Sequence, residues 1–360
     1  MPKVKVQQEE QAPARPDVAG RELISNHSGQ HTVQLMGYKG SGKTVFYLKE
    51  LDRVSKIIYT ELTSGDELDW SKNPSGDIVD ETSTRICMRV MDCDVEGVAK
   101  LLERSSIVPP RLIDNDTTFR KWKIRQYDDR TEFEIANDAL VTYVKDMQEH
   151  NRIFPNYNYA RFLVLENEGM LYNACKDYYV AQVEPNQAVN DLTDLYIKTR
   201  KSQQQTGKFG VEFPQGPRET YGKGIYPLLI RFFKALTSFT DDYGYNVYST
   251  VLLMDKIKDY GKPTQHTAIE PMGKPDLTQQ FFDYILWLFK RVERDENDPY
   301  NTKVSYWTDT ATYGKCRTAP DVILPNLGPG YFWEFIEFAR QKEEEAWRNG
   351  QQLDNVLKTE

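Results

Sequence analysis

The octapeptide Gly37-Tyr38-Lys39-Gly40-Ser41-Gly42-Lys43-Thr44 has the spacing G-x-x-x-x-G-K-[ST], which suits residues that must wrap a polyphosphate. Glycines at these positions let successive backbone N–H groups turn toward one anion. Lys43 is placed to reach the β- and γ-phosphates, and the Thr44 hydroxyl to complete a Mg²⁺ shell. The pattern predicts that Gly37 through Thr44 bind ATP together with Mg²⁺.

Binding alone does no chemistry. Hydrolysis also needs a carboxylate near the Mg²⁺ and another that orients or activates water. In α/β sheets ligands gather beyond the carboxyl ends of the strands, so acids at strand exits are the candidates. Glu166 follows the apolar run Ala160-Arg161-Phe162-Leu163-Val164-Leu165 and is the expected metal-side acid, with Glu168 as a nearby substitute. Glu61 follows Lys56-Ile57-Ile58-Tyr59-Thr60, which reads as a strand, and is the expected water-positioning residue. Asp255, with Lys256, follows Thr250-Val251-Leu252-Leu253-Met254 and is a candidate sensor of the γ-phosphate. Each of the three also reads as an ordinary strand-end acid.

The surrounding elements must position these groups. His31 to Met36 reads as a strand entering the glycine loop, and Val45 to Ser55 as the helix leaving it, with Val45, Leu48, Leu51 and Val54 on one face. A helix N-terminus there adds its dipole and free N–H groups to anion binding. Further strands are expected over 84–91, 121–127, 160–165, 246–254, 303–308 and 314–318. Helices are expected over 95–104, 136–149, 225–238, 277–294 and 332–348, and loops over 197–219 and 256–275. This alternation predicts an α/β fold with a mostly parallel central sheet flanked by helices.

Residues 1–22 are polar and aperiodic and read as a flexible arm; 23–335 read as one ATPase domain, and 336–360 as a charged C-terminal helix or tail. The chain of 360 residues carries a net charge of −8, which excludes a uniformly basic surface but not local basic loops. It has neither the ~20-residue apolar run of a membrane span nor the apolar core of a signal peptide, so a cytoplasmic location is expected. Cys87, Cys93, Cys175 and Cys316 lack C-x-x-C spacing, which suggests neither a zinc site nor a disulfide framework.

Taken together, these motifs resemble the RecA-like P-loop NTPases, and among them the phage-type ATPases of single-strand annealing and recombination. The resemblance is carried by the loop at 37–44, by Ile57 to Glu61 as that group's strand-ending catalytic glutamate, and by 162–166 as the second Walker strand. Tyr221-Gly222-Lys223 and Gly314-Lys315-Cys316-Arg317-Thr318 extend it, so that it covers roughly 30–335. Two departures stand out: residue 166 is Glu where the family has Asp, and the segment 70–155 is longer than a minimal core and holds an insertion or extra strands.

The resemblance implies a homo-oligomeric ATPase acting on single-stranded DNA, in a host cytoplasm if viral. Arg317 would then act in a neighbour's site as an arginine finger. Two loops would face nucleic acid, one with Lys198, Arg200, Lys201 and Lys208, the other with Lys256, Lys258, Lys262, His266 and the stacking candidate Tyr260. The same loops also read as plain solvated charge. Two other function classes share the phosphate loop: a nucleotide-type kinase, for which no compact arginine-rich lid is evident, and a nucleotide-gated assembly or packaging motor.

Overall fold

The computed structural model describes residues 31–72, 74, 76–94, 108–125, 130–183, 224–258, 266–271, 278–294, 302–311 and 323–324. The arm at 1–22, the expected helices at 95–104 and 332–348, the 197–219 loop, Tyr221, the 314–318 strand with Arg317, and the 336–360 tail lie outside these residues.

A nine-stranded sheet organises the described chain. Its strands are β1 (Thr32–Gly37), β2 (Cys87–Asp92), β3 (Phe119–Lys123), β4 (Arg161–Glu166), β5 (Asn246–Lys258), β6 (His266–Pro271), β7 (Tyr284–Arg294), β8 (Thr302–Ala311) and β9 (Ile323–Leu324). They lie in the order β3-β2-β4-β5-β1-β7-β8-β9, with β6 paired to β5. Strands β3 through β7 in that order run parallel, while β6, β8 and β9 are antiparallel additions. Among the described residues no helix is long and apolar enough to cross a membrane.

Helices cover both faces, as a parallel sheet requires. Helix α1 (Lys43–Leu62) turns Phe46, Leu51, Val54 and Ile58 onto Val33, Leu35, Val90, Phe162, Val164 and Tyr248. Next come α2 (Asp77–Thr84) and the short α3 (Pro110–Ile113). On the opposite face lie α4 (Glu132–Ile153), α5 (Glu168–Val183) and α6 (Tyr226–Tyr243), which bury Ala136, Tyr143, Leu171, Phe232 and Phe233 against Cys87, Met91, Leu163, Leu165 and Val247. The start of α4 is set by a capping box in which Thr131 and Glu134 exchange side-chain and backbone hydrogen bonds. The long segment 70–155 supplies β2 and β3, both of which join the main sheet.

Two elements differ in kind from their expected form. Residues 56–60 are not a strand: α1 runs on to Leu62 and ends at Ser64 and Gly65, which have φ of 60° and 123°. The β-branched pair Ile57-Ile58 favours a strand locally, but Leu51, Val54 and Ile58 continue the helical stripe of α1 and are wholly buried. Residues 284–294 form β7, not a helix. With both faces covered, Tyr284, Leu286 and Leu288 pack on one side and Ile285 on the other, so the alternation that marks a strand disappears.

A third difference lies at 256–275, where the described residues are strand rather than loop: β5 continues to Lys258 and pairs with β6, so that Asp255 sits opposite Ile269 within the ribbon. Leu252 of β5 and Leu288 of β7 both pair with Gly37 at the end of β1. Both neighbours therefore run six residues past β1, about 20 Å at a strand's rise. Two antiparallel ribbons, β5–β6 and β7–β8, thus rise on either side of the glycine loop.

The helical assignment of 56–60 has a mutational signature. Ile58→Ala should lower unfolding free energy by roughly 2–5 kcal/mol, whereas Lys56→Ala, at an exposed helix position, should change it by less than about 0.5 kcal/mol. Denaturant titration of the two variants tests this, and equal small effects would contradict the packing.

Candidate phosphate-binding site

Residues 38–42 connect the buried strand β1 directly to the N-terminus of α1. Gly40 and Gly42 have φ of 76° and 97°, the left-handed region in which a side chain is strained. Ser41 N–H donates to the Tyr38 carbonyl at 3.1 Å and Phe46 N–H to the Gly42 carbonyl at 2.9 Å. No side chain caps α1 at Gly42, so the N–H groups of its first turn remain for an anion. Gly37 is required by close approach: a Cβ there would overlap the Ser41 hydroxyl and the Leu288 carbonyl. Lys39 is exposed on the loop.

Lys43 folds back into the loop, its Nζ donating to the carbonyls of Gly37 at 2.7 Å and Tyr38 at 2.9 Å. Burial lowers its pKa to about 8, an effect that Glu166 and Asp94 only partly offset. A buried ammonium held by two carbonyls is a cation suited to an incoming anion.

Glu166 stands at the exit of β4, 5% exposed, and accepts the Thr44 hydroxyl at Oε1 over 3.2 Å. Its Oε2 is buried and accepts no aligned hydrogen bond among the described residues. Burial pushes its pKa up to about 7, with Lys43 opposing and Asp92 adding to the rise. The Tyr47 hydroxyl lies beside it. The peptide joining Glu166 to Asn167 is cis.

A second carboxylate was not among the sequence candidates. Asp92 ends β2, pairs in register with Glu166, and is 2% exposed. Both residues share the α1 face of the sheet, since Val90 and Val164, two positions earlier on each strand, pack in the α1 core. Burial raises the Asp92 pKa, against the pull of Lys121, whose Nζ lies 3.7 Å away. The signal lies in Met91-Asp92-Cys93-Asp94, one residue past an expected strand that ends at 91.

The other candidates are placed elsewhere. Glu61 lies on the exposed last turn of α1 and accepts the Tyr159 hydroxyl at 3.0 Å. Eighteen residues of helix separate it from Lys43, about 27 Å. It cannot stand beside a phosphate in the loop and does not fill the water-positioning role expected of it. Glu168 points to the opposite face, where it accepts from Gln34 at 2.8 Å, Ser249 at 3.3 Å and Thr278, tying β1, β5 and the turn before β7 together. Asp255 is interior to the β5–β6 ribbon rather than at a strand exit. Lys256, Lys258 and His266 also belong to that ribbon, whereas Lys198, Arg200, Lys201, Lys208, Tyr260, Lys262 and Arg317 lie outside the described residues.

The donor set fits a hard cation beside a polyphosphate: a hydroxyl on Thr44, a carboxylate on Glu166 with one oxygen left over, and a lysine that neutralises rather than ligates. No cluster of three His, Cys, Asp or Glu side chains arranged for a metal occurs among the described residues. Mg²⁺ needs none, because it takes few protein ligands and fills its shell with phosphate oxygens and water.

The raised Glu166 pKa sets a pH dependence. The folded chain holds this proton more tightly than the unfolded chain, so between about 4.5 and about 7 the stability of the nucleotide-free protein should fall as pH rises. Glu166→Gln should remove that slope, leaving stability nearly unchanged near pH 4 and raising it near pH 8 by on the order of 3 kcal/mol. Thermal melts at the two pH values check this; an equal effect at both would show that the charge is not buried.

The chain matches no protein-family model and no curated protein, so the functional reading rests on the strand-loop-helix geometry and the paired carboxylates Asp92 and Glu166.

Proposed function

We propose that the protein is a Mg²⁺-dependent, RecA-like ATPase. The observation that carries this reading is the convergence of Lys43, Thr44 and Glu166 on one loop that also presents uncapped helix N–H groups. The strand order supports the RecA-like assignment: β5 lies between β1 and β4. That separation sets the acid-bearing strand about 10 Å from β1, which leaves room for a γ-phosphate and a water between the loop and the carboxylates.

In this reading Lys43 neutralises the β- and γ-phosphates, and Thr44 with Glu166 holds the Mg²⁺. The metal adds positive charge where the transferring phosphoryl group gathers negative charge. Asp92 takes the water-positioning role first expected of Glu61, because it is buried, exits the neighbouring strand and has a raised pKa. Water oxygen attacks the γ-phosphorus, the bond to the ADP oxygen breaks, and Asp92 accepts the water proton. Single-stranded DNA as the partner, homo-oligomerisation and a trans role for Arg317 follow from the family resemblance and are part of the proposal.

Steady-state ATP turnover with and without single-stranded DNA, at low salt, tests it. Turnover should rise with DNA in the wild type. It should drop at least about 100-fold in Lys43→Ala and Asp92→Asn, and stay within about twofold in Glu61→Gln. Turnover that survives Lys43→Ala would exclude this site, and turnover insensitive to DNA would exclude the proposed partner.

A further inference from the structure

Four large apolar side chains are exposed on the ribbons that flank the glycine loop: Met254 on β5 at 48%, Val292 on β7 at 51%, and Val304 and Tyr306 on β8 at 47% and 40%. Val292 pairs directly with Val304, and Lys290 with Tyr306. Directly opposed residues of an antiparallel pair share a face. Leu288, two positions before Lys290, packs in the α1 core, so Lys290, Val292, Val304 and Tyr306 all stand on the face that continues upward from the glycine loop. The Lys290 Nζ lies 4.0 Å from the point a Cβ on Gly40 would occupy, which brings a second ammonium to the crest of the loop. Lys290 forms no ion pair with any described residue.

An apolar and aromatic face that starts at a phosphate-facing lysine has the chemistry of a nucleotide: anionic at one end, flat and apolar at the other. We propose that the β7–β8 ribbon is the nucleoside wall of the site, with Lys290 contacting the phosphate chain and Tyr306, Val292 and Val304 receiving the base. The inference rests on the reading of 37–44 as a triphosphate site. It assigns work to a segment whose sequence reads as a helix, and it follows from the register that lets β7 overrun β1.

Inorganic tripolyphosphate separates the two halves of the ligand, because it carries the phosphates without a base. Calorimetric titrations of the full chain with Mg²⁺-ATP and with Mg²⁺-tripolyphosphate are the measurement. Tyr306→Ala should weaken ATP about 5- to 100-fold, the range of base–aromatic stacking, and leave tripolyphosphate within about twofold, which also shows that the variant is folded. Lys290→Gln should weaken both ligands, with Lys290→Arg restoring them. ATP binding unchanged by Tyr306→Ala, or equal loss of both ligands, would overturn the nucleoside wall while the loop reading stands. A wild-type chain that binds neither ligand would overturn both.

Discussion

A lysine and a glutamate are held out of water at the junction of β1, β4 and α1, and neither is at ease there. The Lys43 ammonium is satisfied by two carbonyls of its own loop, and the Glu166 carboxyl by one hydroxyl and a neighbouring positive charge. Burial acts against the charged form of each, and their mutual attraction only partly restores it. The junction is therefore built for added charge: an anion relieves the lysine, and a cation relieves the two carboxylates. The fully buried β1 and the α1 core of Phe46, Leu51 and Val54 pack beneath it.

Sheet topology turns this local arrangement into a site with depth. Because β5 separates β1 from β4, and β4 separates β5 from β2, the acids of two adjacent strands stand side by side at a distance from the loop. Because β5 and β7 both overrun β1, the loop lies at the bottom of a trough between two ribbons. The strand register thus fixes what lies beside the loop and what rises above it.

The sequence made some of this plain and hid the rest for identifiable reasons. The loop and strands β1, β2 and β4 were readable because glycine spacing and short apolar runs are strong local signals. The end of α1 was not, because Ile57 and Ile58 favour a strand while the distant stripe from Phe46 to Ile58 decides for a helix. A strand read at 56–60 puts Glu61 at the site, whereas the strand that follows the loop helix is β2, which ends on Asp92. β7 was hidden by burial on both faces, which erases alternation, and its misreading concealed Lys290. Pairing between distant strands, such as Asp92 with Glu166, has no signature in a single chain.

The central claim is that a partly protonated Glu166 gives up its proton when Mg²⁺ and phosphates arrive. Mg²⁺-ATP titrations at pH 7, in buffers of differing ionisation enthalpy, count that proton directly. With burial raising the Glu166 pKa to about 7 in the free protein, binding should release a measurable fraction of a proton per site, and Glu166→Gln should abolish the release while still binding. Binding with no proton release, or with the same release in Glu166→Gln, would contradict the account.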